Sequence, residues 1–236
     1  MKDLLRSNSV FIGLSLILLL VLGLALVYIP QGELHLLLCD RHTPARDIFY
    51  RYYTQIAEWF PYVVCVALLL FSRIGDGVFA TSAMALSALS TQVLKHIFNA
   101  LRPVTWFDLF LPDVQLPLVE GVKMNYWYSF PSGHTTSFFA LAFVVCILLN
   151  SGTGRTSETS RTGYSTIIRR ITGQVALFFL ATLGGYSRIY LSQHFARDVF
   201  GGIIIGIGIT FICYLVLSRY EDKKWYNYRV FTGKKP

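Results

Sequence analysis

The chain has 236 residues, of which 54% are hydrophobic and only 14% charged, with a mean hydropathy of +0.51. That composition excludes an ordinary soluble domain and identifies an integral membrane protein. At roughly 20 residues per span plus loops, the length suits a single all-α domain over residues 1–236, a bundle of about six transmembrane helices, with no room for a second folded unit.

The first apolar run, Val10 to Ile29, stops at Pro30 and follows Lys2 and Arg6. A signal peptide has the same charge order, but this apolar core is longer than the usual one and no small-x-small cleavage site follows, so a retained helix is expected. Gln31 to Tyr53 carries Arg41, Arg46, Asp47 and Arg51 among aromatics and reads as a stretch along the membrane interface. The second span, Ile56 to Phe71, opens beside Trp59 and Pro61, a belt aromatic and a proline tolerated in a first turn. The third, Gly77 to Phe98, is rich in Ala, Ser and Thr, as in a helix packed inside a bundle, and has Lys95 near its end. The fourth runs from Thr135 to Leu149, the fifth from Ile171 to Tyr190 and the sixth from Asp198 to Leu217. Gly202 and Gly206 in the sixth form a G-x-x-x-G pair, read as a helix contact face.

Basic residues near the span ends set the orientation. Arg73, the loop and helix start bearing Arg155, Arg161, Arg169 and Arg170, and the tail with Arg219, Lys223, Lys224, Arg229, Lys234 and Lys235 fall on the side of the N-terminus, which is assigned to the cytoplasm. The Ser151 to Ser165 loop has little apolar material to bury; its arginines serve as topology signals or touch anionic lipid heads. The same counting brings the ends of spans three and five and the starts of spans four and six to the opposite face. Cys65, Cys146 and Cys213 lie inside apolar runs and Cys39 has no evident partner, so the cysteines read as small buried residues and neither a disulfide framework nor a thiolate metal site is expected.

Three ordered blocks of polar residues stand at that opposite face: Lys95, Arg102 and Pro103 as K-x(6)-RP; Pro131-Ser132-Gly133-His134; and Ser187, Arg188, His194 and Asp198 as SR-x(5)-H-x(3)-D. Charges beside spanning helices are costly, so their clustering points to a site. Lys95 and Arg102 are spaced to share one helical face, with Pro103 marking where that helix must end. Snorkelling toward the interface explains either cation alone but not the recurrence of a third, Arg188. An ammonium and two guanidinium forks suit the spread charge of a phosphoryl group. Pro-Ser-Gly before an apolar helix offers free N–H groups to an anion; the plainer alternative is an ordinary helix start beside an interfacial His134. His194 and Asp198, four apart, let the carboxylate take one imidazole nitrogen and leave the other free; a capping Asp beside a satisfied His is the alternative, and geometry decides between them.

These blocks, in this order, resemble the signature of the type 2 phosphatidic acid phosphatase family, with every signature position matched between Lys95 and Asp198. The resemblance implies a metal-independent lipid phosphatase whose active site lies at the extracytoplasmic face of the membrane. On that pattern His194 attacks phosphorus to give a phosphohistidine, Asp198 orients it, and His134 protonates the leaving oxygen and then acts as base toward water. Lys95, Arg102, Ser132, Gly133 and Arg188 hold the phosphoryl oxygens. No cofactor and no metal are implied, and carboxylates near the blocks are too few for a magnesium cage. Ser187 reads as a hydrogen-bonding residue at a helix end. Phe195-Ala196-Arg197 departs from the commoner family pattern; Arg197 either pairs locally with Asp198, the favoured reading, or meets a further head-group anion.

The resemblance leaves out the N-terminal third and the stretch Val104 to Phe130. There Trp106, Phe107, Phe110, Lys123, Tyr126, Trp127 and Tyr128 suit either a surface that selects the lipid head group or an ordinary aromatic belt. The expected partners are the bilayer and a membrane lipid phosphate, with no nucleic acid; no feature specifies an oligomeric state. Undecaprenyl diphosphate, phosphatidylglycerol phosphate, phosphatidic acid and lipid A are the substrates the family implies, and compact loops with a basic tail favour a bacterial inner membrane with the site facing the periplasm. Two other uses of the same residues are a lipid phosphotransferase and a non-enzymatic anionic-lipid binder or transporter. Paired histidines argue against mere binding, which needs no group titrating near neutrality. The vanadate-dependent haloperoxidases share the motifs but are soluble.

Overall fold

The computed structural model describes residues 2–39, 41–150 and 164–231, so Arg155 and Arg161, most of the expected Ser151 to Ser165 loop, and the tail lysines Lys234 and Lys235 lie outside the described residues. Among the described residues the regular elements are helices: α1 (Lys2–Ser7), α2 (Ser9–Tyr28), α3 (Gln31–Cys39), α4 (Pro44–Phe71), α5 (Ile74–Phe98), α6 (Pro103–Phe110), α7 (Gly133–Asn150), α8 (Tyr164–Tyr190), α9 (Ala196–Leu217) and a short α10 (Lys224–Asn227). Among the described residues 6 helices, α2, α4, α5, α7, α8 and α9, are long and apolar enough to cross a membrane. The protein is a multi-pass, all-α membrane protein.

Two expectations about α4 need correction. It begins at Pro44, with Thr43 as its cap, and not near Ile56, so Gln31 to Tyr53 is one separate short helix plus the first turns of a spanning helix. Pro61 therefore sits in the middle of α4 and not in a first turn. The proline is buried there, a position open to it inside a bundle because packing against neighbouring helices can offset the hydrogen bond its missing N–H removes.

Helix α7 is the hub. It is 56% buried against 11% for the peripheral α2, and Phe139, Ala140, Phe143, Val144 and Ile147 are fully enclosed by α2, α5, α8 and α9. Phe11 of α2 stacks on Phe143 with ring centroids 5.5 Å apart. The two ends of the bundle are tied differently. At one end Asn150 donates to the Asn8 amide oxygen at 3.0 Å, Gln174 accepts from the Phe11 N–H at 3.1 Å, and Arg73 forks onto Asp76 at 2.8 and 3.0 Å. The three polar blocks gather at the other.

The pairing of α7 with α9 runs through Gly202 and Gly206, as the G-x-x-x-G spacing suggests. A Cβ on Gly206 would stand 2.6 Å from the Thr136 carbonyl oxygen and 3.0 Å from the Ala140 nitrogen, and one on Gly202 would stand 2.8 Å from the Ser132 carbonyl oxygen. The obstruction is backbone and cannot swing aside. Gly206→Ala should therefore cost about 1–3 kcal/mol through overpacking, whereas Gly208→Ala, with nothing within 4 Å of the added carbon, should be neutral or slightly stabilising. Thermal unfolding of both variants in detergent checks the contrast.

Candidate active site

The chain between α5 and α6 departs from expectation. Helix α5 stops at Phe98, closed by Asn99 in the left-handed conformation at φ 40°, whose N–H returns to the Lys95 carbonyl at 2.9 Å. Arg102 is thus not on the helical face of Lys95; it precedes Pro103 as the cap residue of a new helix, and its N–H bonds the Tyr126 carbonyl at 3.0 Å. The two cations still converge, through a turn and not through helical periodicity. Likewise Val104 to Phe130 is not one surface loop: Pro103–Phe110 is helical, Phe107 is buried, and Trp106 packs on Phe195 with centroids 5.7 Å apart. Part of this segment roofs the site.

Arg102 donates from Nε to the Trp127 carbonyl at 2.9 Å and from Nη1 to both oxygens of Gln193, main chain at 3.1 Å and side chain at 3.2 Å. Arg188, at the end of α8, donates from Nη2 to the same Gln193 side-chain oxygen at 3.4 Å and from Nη1 to Thr54 of α4 at 2.8 Å. Gln193 is anchored in turn by donating to the Lys123 carbonyl at 3.2 Å. One buried amide thus brackets two guanidinium groups that repel each other. Lys95 completes the group of cations, with no carboxylate in ion-pair range among the described residues.

Asp198, in the first turn of α9, is completely buried. Its Oδ2 accepts from the Phe195 N–H at 2.9 Å and from the Ser129 hydroxyl at 2.5 Å, and lies 3.4 Å from His194 Nδ1. His194 precedes α9 and does not share its face; the chain's turn at Phe195 brings the two side chains together. The Ser129 hydroxyl oxygen also lies 3.4 Å from Nδ1, and among the described residues no hydrogen bond engages Nε2, which is the free nitrogen. Burial first, then Arg102, Arg188 and Lys95, hold His194 well below its ordinary pKa of 6.5, leaving the imidazole neutral at physiological pH. Arg197 stands 3.6 Å from Asp198 Oδ1, an ion pair without a hydrogen bond, while its guanidinium carbon lies 5.5 Å from the Phe195 ring centre.

The second block seats on the third. Ser132 donates its N–H to the Asp198 carbonyl at 3.0 Å, and its hydroxyl accepts from Thr135 Oγ1 at 2.9 Å and from the Thr135 N–H at 3.4 Å, which caps α7. Gly133 and His134 follow in the first turn. The cations that reach His134 are Arg188, Lys95 and Arg102, and its Nε2 lies 3.2 Å from Glu58 Oε1 of α4. Ser187 turns away and donates to the Gly184 carbonyl at 2.7 Å.

The structure therefore brings Lys95, Arg102, Ser132, Gly133, His134, Arg188, His194 and Asp198 to one locus at one end of the bundle. Sequence reasoning missed Thr54, Glu58, Ser129 and Gln193, which hold the others in place. The available signals were an acid inside an apolar span, for Glu58, and a polar residue directly before His194, for Gln193. His35 of α3 was also missed. It packs beneath the roof, 5.1 Å from the Phe195 ring and 5.7 Å from Phe107, with Nε2 3.3 Å from Ser192 Oγ, and burial pushes its pKa down to about 4.

A multi-pass helical bundle carrying a cationic cradle around two histidines defines a membrane-embedded anion-processing protein. The sequence matches the PAP2 superfamily over residues 76–222, well over half its length, and the chain belongs to that family. The lipid A 4'-phosphatase of Porphyromonas gingivalis is 29% identical over 204 residues, covering 83% of this chain and 75% of that protein. Among solved structures, Aquifex aeolicus LpxE superposes with a TM-score of 0.58 at 27% identity, over 78% of this chain and 93% of that one. The transmembrane PAP2-type phosphatidylglycerolphosphate phosphatase from Bacillus subtilis superposes at 0.61 and 19% identity over 93% and 99%, a likeness of fold. Like these relatives, the chain is a hydrolase of the phosphatase kind.

Two measurements probe this framework. Ser129→Ala removes a donor from a buried carboxylate and should cost about 1–3 kcal/mol, read by thermal unfolding. His35 and His194 are buried with lowered pKa values, so the unfolded chain binds more protons below about pH 6.5. Their contribution to stability is full above that value and is lost as pH falls toward 4. The melting temperature should drop across this window, and His35→Phe should flatten part of the drop.

Proposed function

We propose that the protein removes the terminal phosphate of a membrane lipid through a phosphohistidine on His194. The observation that carries this reading is His194 itself: a neutral imidazole with Nδ1 on buried Asp198 and Nε2 unengaged, ringed by Lys95, Arg102 and Arg188. In the first step Nε2 forms a bond to phosphorus as the bond to the lipid oxygen breaks, and His134 passes its proton to that oxygen. Lys95, Arg102, Arg188, Ser132 and the N–H groups opening α7 at Gly133 take up the charge on the phosphoryl oxygens. Water then attacks the phosphohistidine, with His134 taking its proton, and releases inorganic phosphate.

An apolar groove of about 550 Å³ between α4, α7 and α8, lined by Tyr53, Ala57, Phe138, Leu141 and Ala181, supports a lipid substrate, since the helices that form it also carry Glu58, His134 and Arg188. The basic residues at the opposite end of the bundle, among them Arg73, Arg169 and Arg170, support a site facing away from the cytoplasm, the periplasm in a bacterial inner membrane. Because a lipid A phosphatase aligns along 83% of the chain, lipid A is the first substrate to test, with undecaprenyl diphosphate and phosphatidylglycerol phosphate beside it.

Purified protein should release phosphate from one of these lipids in excess chelator, and brief exposure to labelled substrate should leave acid-labile phosphate on wild type but not on His194→Ala. Turnover that needs a divalent ion, or a His194→Ala variant within about tenfold of wild type, would overturn the mechanism.

A further inference from the structure

Helix α4 lies outside the three polar blocks and outside the stretch matched by the family, yet it reaches the site with two side chains one turn apart. Thr54 accepts from Arg188 at 2.8 Å, and Glu58 stands 3.2 Å from His134 Nε2. A carboxylate within an apolar span is costly unless it is used. The side chain of Glu58 is 61% exposed, and His134 is its one ion-pair partner among the described residues.

Around His134 the remaining charges are of the opposite sign. Beside the neutral ring of His194, Lys95 faces it from α5, Arg102 from the start of α6 and Arg188 from α8. Each of these disfavours a second positive charge, whereas a general acid must carry its proton when the reaction begins. Among the described residues Glu58 is the one carboxylate in contact with the ring, and Asp198 is committed to Ser129, Phe195 and His194.

We propose that Glu58 is a positioning residue that holds His134 protonated and fixes its ring for proton delivery. This rests on the phosphatase reading above. The carboxylate accepts from Nε2–H, so Nδ1 is the nitrogen that presents the proton to the leaving oxygen as the bond to phosphorus breaks. After transfer the neutral ring keeps its hydrogen bond to Glu58 and can accept the proton of the incoming water. The dianionic phosphate also favours the imidazolium, so the influence of Glu58 is greatest when the substrate's own charge is low.

The test uses the full chain in detergent micelles with two substrates, a lipid monoester phosphate and an aryl phosphate whose leaving group needs no proton. Glu58→Gln keeps the shape and removes the charge. It should lower kcat on the lipid phosphate by about tenfold, leave kcat on the aryl phosphate within about twofold, and move the basic limb of the lipid rate profile to lower pH. Glu58→Asp, which keeps a carboxylate, should recover part of the rate and of the limb. An unchanged basic limb in Glu58→Gln, or equal losses on both substrates, would overturn the assignment while leaving the phosphatase reading intact. A wild-type protein that cleaves neither substrate would overturn both.

Discussion

Asp198 has no contact with solvent, and a carboxylate taken out of water must be met by donors or it destabilises the fold that encloses it. Its partners come from two separate stretches: Ser129 from the segment leading into α7, and the adjacent His194 and Phe195 N–H from the turn between α8 and α9. The same residue's carbonyl accepts from Ser132. Meeting one buried carboxylate oxygen therefore fixes the lead into α7 against the turn that opens α9. The imidazole of His194 inherits its orientation from that fixed frame, as does the opening of α7, where free N–H groups favour an anion.

The frame holds because α7 and α9 touch backbone to backbone. Gly202 and Gly206 bring α9 against the carbonyls of Ser132 and Thr136, and this closeness carries the first turn of α7 to within hydrogen-bonding reach of Asp198. The cations are mounted independently, on α5, at the start of α6 and at the end of α8. Left alone they would drive one another apart. Gln193 offers its side-chain oxygen to both Arg102 and Arg188 and so holds them close while leaving donors of each unspent. A site with its repulsion already built in gains most when a dianion arrives, which is the electrostatic logic of phosphoryl transfer.

Helix α4 alters how the site is bounded. It links the polar locus to an apolar groove, with Thr54 and Glu58 turned to the arginine and histidine and with Ala57 and Pro61 turned to the groove. A lipid phosphate is divided in the same way, and the polar and apolar faces of α4 match the two parts of such a molecule.

The amino-acid sequence by itself determined the six spans, their glycine contact face and the eight residues from Lys95 to Asp198 that gather at one end, because hydropathy, charge at span ends and fixed motif spacing are all local along the chain. It misplaced what depends on where the chain turns. Lys95 and Arg102 looked like one helical face because a seven-residue spacing is ambiguous between a continuous helix and two helices joined by a left-handed Asn99. Pro61 looked like a helix start because a proline carries no mark of whether neighbouring helices will support it. Only the tertiary structure decided that Ser129 and Gln193 brace the site and that Glu58 meets His134, since these are contacts between segments far apart in the chain and no periodicity encodes them.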